Sequence, residues 1–170
     1  VGIEPSAIDP ADIDESPRPA EAPRAYALRM AKAKLDVVVL RHPGHIVLAA
    51  DSVVAVGRRI LPKAETEAEA RVCLALLSGR RHRVLGGLAV GGRGKAVRTR
   101  LVETAVRFKR LEPAEIEAYL QSGEWRGKAG GYAIQGRAAA FVSFISGSYS
   151  NVVGLPLFET VTLLKSMAMP

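Results

Sequence analysis

The chain has 170 residues, 48% hydrophobic and 24% charged, which suffices for one buried core and excludes a disordered polymer. A net charge of +7 suits a polyanionic partner, although a chain rich in Arg and Ala reaches that balance without one. The single cysteine, Cys73, excludes an internal disulfide and a cysteine-based zinc cluster and suits a reducing cytoplasm. No apolar run approaches the ~18 residues of a membrane helix, so no membrane contact is expected.

The first ~25 residues, rich in Pro, Ala, Asp and Glu, read as loop. Residues 23–41 read as a helix: Pro23 suits its first turn, and Leu28, Ala31, Leu35, Val38 and Val39 recur at helical spacing. After Pro43-Gly44, "IVLAADSVVAVG" (46–57) predicts a buried strand, and Gly57 turns the chain into "RRILPKA". A second helix starts at Thr66 with Glu69 completing a capping box, an apolar face of Val72, Cys73, Leu76 and Leu77, and Gly79 as its stop. "HRVLGGLAV" (82–90) and residues 96–109 predict two partner strands joined by "GGRG". Pro113 opens a helix that Gly123 ends; after a glycine-rich loop come a strand at 138–146 and a last helix at about 156–167. Interleaved helices and strands predict an α/β fold with a mixed sheet.

"GGRGKAV" fails as a phosphate loop because it lies between two strands instead of opening a helix. His42 and His45 straddle Pro43-Gly44 and read as solvated loop residues. Asp51 is different: it interrupts the apolar "LAADSVV", where a carboxylate is costly unless paired, metal-bound or facing a cleft. Lys63 beyond the Gly57 turn, Lys34 in the first helix and the acidic pair Asp14–Glu15 before it each have an ordinary surface reading. "KAGGYAIQG" (128–136) adds three glycines beside Gln135.

Taken together, "DIDES", "YALRMAKAK", "AADSVVAVGRRILPK", "EAEARVCLALLSGRRHRV", "GEWRGKAGGYAIQG" and "ISGSYSNVVGLPLFETVTLL" resemble the Maf family of nucleotide pyrophosphatases, also called septum-formation proteins. The blocks run in family order from about residue 12 to residue 164. The resemblance implies one domain over residues 1–170, an elongated mixed sheet flanked by helices around a central cleft, as in inosine triphosphatases. It implies Asp51 as proton acceptor, Ser52 and Gln135 as base-selecting residues, and Glu15, Lys34 and Lys63 as cleft-lining substrate contacts. The "IQG" form is similar to the branch that acts on dTTP and UTP, giving the monophosphate and pyrophosphate. Mg²⁺ or Mn²⁺ on Asp51 and Glu15, a homodimer and a cytoplasmic location follow from the same resemblance. The family's first strand and its Ser-x-Ser-Pro-Arg-Arg phosphate loop have no counterpart before "VGIEPS", so both are expected to be lacking. Ala64 stands for a usual Pro, Ala133 for a usual Gly, and "VLGG" lacks a usual Thr.

On this reading the glycines of 128–136 let the main chain approach a flat pyrimidine, and the Gln135 amide matches its O4 and N3–H. The alternative is a non-catalytic nucleotide- or nucleic-acid-binding regulator of cell division, suggested by Arg80, Arg81, Arg83, Arg98 and Arg100. Aromatic residues do not interleave with those arginines along the chain, so a nucleic-acid partner ranks second.

Overall fold

A computed structural model of the chain describes residues 1–92 and 94–168. Pro23 opens helix α1 (Pro23–Arg41), where its missing N–H would have had no intrahelical partner. Tyr26, Ala27, Met30, Ala31, Leu35 and Val38 are buried, a stripe at spacings of three and four that faces a sheet.

That sheet contains β1 (Val47–Val56), β2 (Arg59–Leu61), β4 (Arg81–Gly92), β5 (Lys95–Phe108) and β7 (Val142–Ser146) in the order β2-β1-β4-β5-β7. A short second ladder joins β3 (Lys63–Ala64) to β6 (Lys128–Ala129). The α/β class and the helix-flanked sheet are as expected. Every described pairing is antiparallel, however, with none of the parallel pairs that a mixed sheet would add. Glycine decides how closely α1 lies on the sheet: Gly87 on β4 sits under the Ala27 main chain, and a Cβ there would collide with the Ala27 carbonyl.

The opposite face carries the largest core cluster. Val54, Val84, Val106 and Phe108 from the sheet meet Leu74 and Leu77 of α2 (Glu67–Leu77) and Tyr119 of α3 (Pro113–Ser122). Thr66 and Glu69 cap α2 reciprocally, and Gly123 ends α3 in the left-handed region at φ 71°. Residues 1–22 contain no helix or strand, as their composition predicts. Two further helices, α4 (Tyr149–Val153) and α5 (Leu157–Ala168), close the chain. No described helix is long and apolar enough to cross a membrane.

Four local expectations change. Val72 is 53% exposed, because the stripe of α2 runs through Ala70, Cys73, Leu74 and Leu77 and leaves Val72 on the far flank. Residues Arg137–Phe141 form a 3₁₀ turn instead of the start of a strand: Ala138 and Phe141 are buried three apart, a spacing that suits three residues per turn. Gly91 and Gly92 belong to β4, while Arg93 of the expected "GGRG" turn lies outside the described residues. His42 is not a free loop residue either, since its Nε2 lies 2.8 Å from Asp9 Oδ2.

Candidate active site

Asp51 sits midway along β1, directly opposite Gly87 of β4. Because Gly87 admits α1 so closely, Lys34, two turns beyond Ala27, reaches the sheet at this point. Lys34 Nζ lies 2.7 Å from Asp51 Oδ1 and 2.7 Å from Glu15 Oε1. Glu15 Oε2 in turn accepts from Lys63 Nζ at 2.5 Å. Asp51, Lys34, Glu15 and Lys63 therefore form one chain of alternating charge. Its members come from a strand, a helix, the irregular N-terminal segment and the short β3 ladder.

Burial separates the two acids. The Asp51 side chain is 5% exposed, and burial pushes its carboxyl above the usual aspartate value despite the hydrogen bond from Lys34. At Glu15 burial opposes ionisation too, but hydrogen bonds from both Lys34 and Lys63 outweigh it and hold that carboxyl below the ordinary range. For Lys34 burial disfavours the charge, and the hydrogen bonds to Asp51 and Glu15 outweigh it, so its ammonium is held more firmly than usual. The two carboxyls are thus shifted in opposite directions, Asp51 upward and Glu15 downward.

Two hollows of about 250 and 270 Å³ meet at this chain. The first is bounded by Lys34, Asp51, Ser52, Lys63, Tyr132 and Gln135, together with Val153 and Gly154. The second holds Glu15 and Tyr26 and shares Asp51, Ser52 and Lys63 with the first. All six residues singled out in the sequence thus converge: Asp51, Ser52, Gln135, Lys34 and Lys63 in the first hollow, and Glu15 in the adjoining one. Ser52 Oγ donates to the Gly154 carbonyl at 3.3 Å, tying β1 to the wall beyond α4.

The glycine-rich loop has a different cause from the one its sequence suggests. Gly130 and Gly131 have φ of 69° and 67°, and a Cβ on them would come 2.8 Å from Val54 Cγ1 and 3.2 Å from Ala70 Cα. A Cβ on Gly136 would collide with the Glu124 carboxylate. These glycines let the loop turn and pack on β1, α2 and Glu124; approach to a ring in the hollow is not what requires them. Tyr119 Oη accepts from Ala133 N–H at 3.1 Å, and Glu124 Oε2 accepts from Arg137 N–H at 2.7 Å, which fixes the loop that carries Gln135.

One contributor carried no signal in the sequence. Tyr26 reads as an ordinary core position of α1, yet its Oη donates to the Glu15 carbonyl at 2.5 Å and holds the irregular segment at the cleft. Nothing in the spacing of two residues eleven apart across a helix start could have revealed that bond.

The family profile described as "Maf-like protein" matches residues 1–167. The chain belongs to the Maf family. Relatives within it include a protein named "dTTP/UTP pyrophosphatase" from Caulobacter vibrioides, 59% identical over 167 residues, covering 98% of this chain and 86% of that protein. A second of the same name, from Rhodospirillum rubrum, is 61% identical over 165 residues, covering 96% of this chain and 78% of its own length. A third, from Paramagnetospirillum magneticum, is 60% identical over 164 residues, covering 96% and 86%. As a Maf protein the chain is a nucleotide-metabolising hydrolase in kind.

Proposed function

We propose that this chain is a nucleoside triphosphate pyrophosphatase that cleaves dTTP and UTP to the monophosphate and pyrophosphate. The observation that carries the reading is the shared hollow lined by Asp51 and Gln135, one buried acid and one amide far apart along the chain. Relatives at 56 to 61% identity are named for dTTP and UTP, which supports the choice of substrates.

In this reading a water oxygen attacks the α-phosphorus, and Asp51 accepts the proton that the water loses. The bond from the α-phosphorus to the bridging oxygen breaks, and pyrophosphate leaves with that oxygen. Burial suits Asp51 for the role, since a raised pKa makes it a better base than an exposed carboxylate would be. Lys34 and Lys63 neutralise the phosphate oxygens and the leaving group. Gln135 offers one donor and one acceptor to the O4 and N3–H of uracil or thymine, and Ser52 lies beside the ring.

Mg²⁺ or Mn²⁺ belongs to the proposal as well. Among the described residues no group of three His, Cys, Asp or Glu side chains could hold a metal. Two carboxylates that already converge on one ammonium, at 2.7 Å each, do fit an ion that takes its remaining ligands from phosphates and water. Asp51 and Glu15 would hold it, and it would neutralise charge on the phosphate chain. A homodimer and a cytoplasmic location complete the reading, supported by exposed Tyr149, Val153 and Phe158 and by the lone free cysteine.

Pyrophosphate release from a panel of nucleoside triphosphates tests the proposal. dTTP and UTP should be turned over at least tenfold more efficiently than dCTP or GTP, in line with what one unpaired buried polar group costs. Equal turnover of all four, or none, would remove it.

A further inference from the structure

At the far end of the sheet, cross-strand register sets two like charges against each other. Arg81 of β4 pairs with Arg107 of β5, and Arg107 pairs in turn with Phe144 of β7, so the three side chains share one face. Both guanidinium carbons stand over the Phe144 ring, 5.9 and 5.8 Å from its centroid. Arg107 Nε also donates to Ser143 Oγ at 3.2 Å. Phe144 is 45% exposed on an edge strand, and both arginines are exposed.

Acidic partners are scarce there. Among the described residues Arg81 and Arg107 make no ion pair. Arg83, one row along and opposite Ala105, lies 3.9 Å from Glu103, which Arg24 already binds at 2.5 Å. Glu103 thus serves Arg24 and Arg83, and Arg81 and Arg107 lie one row further along without a carboxylate of their own. Like charges directly opposite each other destabilise a ladder, and an exposed aromatic on an edge strand invites association. Such conflicts with local stability are expected where a surface is used.

The chemistry of the patch selects its occupant. Unpaired guanidiniums call for a polyanion, and a half-exposed ring flanked by them calls for a planar group that stacks. Open sheet faces with exposed aromatics and neighbouring cations bind single strands in this way. A duplex would offer phosphates but hide its base faces. A second copy of the chain, joined by a two-fold axis, would bring arginine against arginine. We propose that the face formed by Arg81, Arg107 and Phe144, with Arg83 beside it, binds single-stranded nucleic acid. A base stacks on Phe144 and the flanking phosphates lie on the arginines.

This surface is separate from the cleft. β7 stands three strands from β1, and Arg81 lies six residues along β4 from Gly87, the partner of Asp51. Those steps amount to about 14 Å across the sheet and about 20 Å along it.

The test is fluorescence anisotropy of a labelled twelve-nucleotide dT or rU strand, titrated with the protein at several salt concentrations. Saturable binding is expected, with a slope of log K against log salt of about −2 for three phosphate contacts. Phe144→Leu should weaken binding about tenfold at an unchanged slope, with Phe144→Tyr restoring it. Arg107→Gln should weaken binding and reduce the slope by about 0.7. All three variants should stay folded, with melting temperatures no lower than that of the wild type, and keep wild-type pyrophosphate release, and Asp51→Asn should still bind the strand. Several results would overturn the proposal: no binding at ~50 mM salt, equal affinity for duplex, displacement of the strand by dTTP, unaltered binding by Phe144→Leu and Arg107→Gln, or a change in oligomeric state in place of strand binding.

Discussion

The cleft and the β7 end of the sheet are both rich in positive charge, and they treat it in opposite ways. In the cleft Lys34 and Lys63 are neutralised by Asp51 and Glu15, with every N···O distance between 2.5 and 2.7 Å. At the sheet end Arg81 and Arg107 face each other over Phe144 with no carboxylate between them. The difference follows from burial. Asp51 is 6% exposed, where an ionised carboxylate is costly without the pairing that Lys34 supplies, whereas exposed guanidiniums stay charged in water at little cost. Charge is paired where burial makes an isolated ion costly and left unpaired where water solvates it.

The contrast can be broken most severely at Asp51. Asp51→Asn should lower pyrophosphate release about a thousandfold while leaving the melting temperature within a few degrees, since the amide still accepts from Lys34. The wild-type rate should fall on the acid side as Asp51 takes up its proton. Burial raises that pKa, so the midpoint should lie above the ordinary aspartate value of 3.8, and a rate profile from pH 3 to 8 reads it directly.

A smaller effect distinguishes paired from unpaired cations. Lys34→Gln leaves Asp51 buried without its counter-ion and should destabilise the fold by about 2 kcal/mol, measured by urea unfolding at pH 7. Arg107→Gln should act with the opposite sign, relieving its clash with Arg81 and stabilising the chain by about 0.5 kcal/mol in the same assay. Loss of stability in both variants would mean that the two regions do not differ as described.

How much of this was legible in the chain differs by element. Helix α1 was readable from Pro23 to Arg41 because its apolar stripe, its opening proline and its Pro43-Gly44 stop all agree. The capping box at Thr66 and Glu69 was equally local. The strand expected at 138–146 failed over its first residues because Ala138 and Phe141 are apolar in either period, and only packing against Phe108 and Tyr119 selects the 3₁₀ spacing. Asp51 stood out because a carboxylate inside an apolar strand demands a reason. Its partner could not be named from spacing alone, and neither could the contact of Phe144 with Arg81 and Arg107, which are far apart along the chain.

By itself, then, the order of residues determined the helices, most strands and the identity of the family, since periodicity, capping and motif order are local properties of a chain. Only the tertiary structure decided which charges meet. Lys34 reaches Asp51 because Gly87 lets α1 lie against β4, and Arg81 faces Arg107 because the β4–β5 register aligns them. Electrostatic pairing depends on distance in space, and distance in space is set by packing and register.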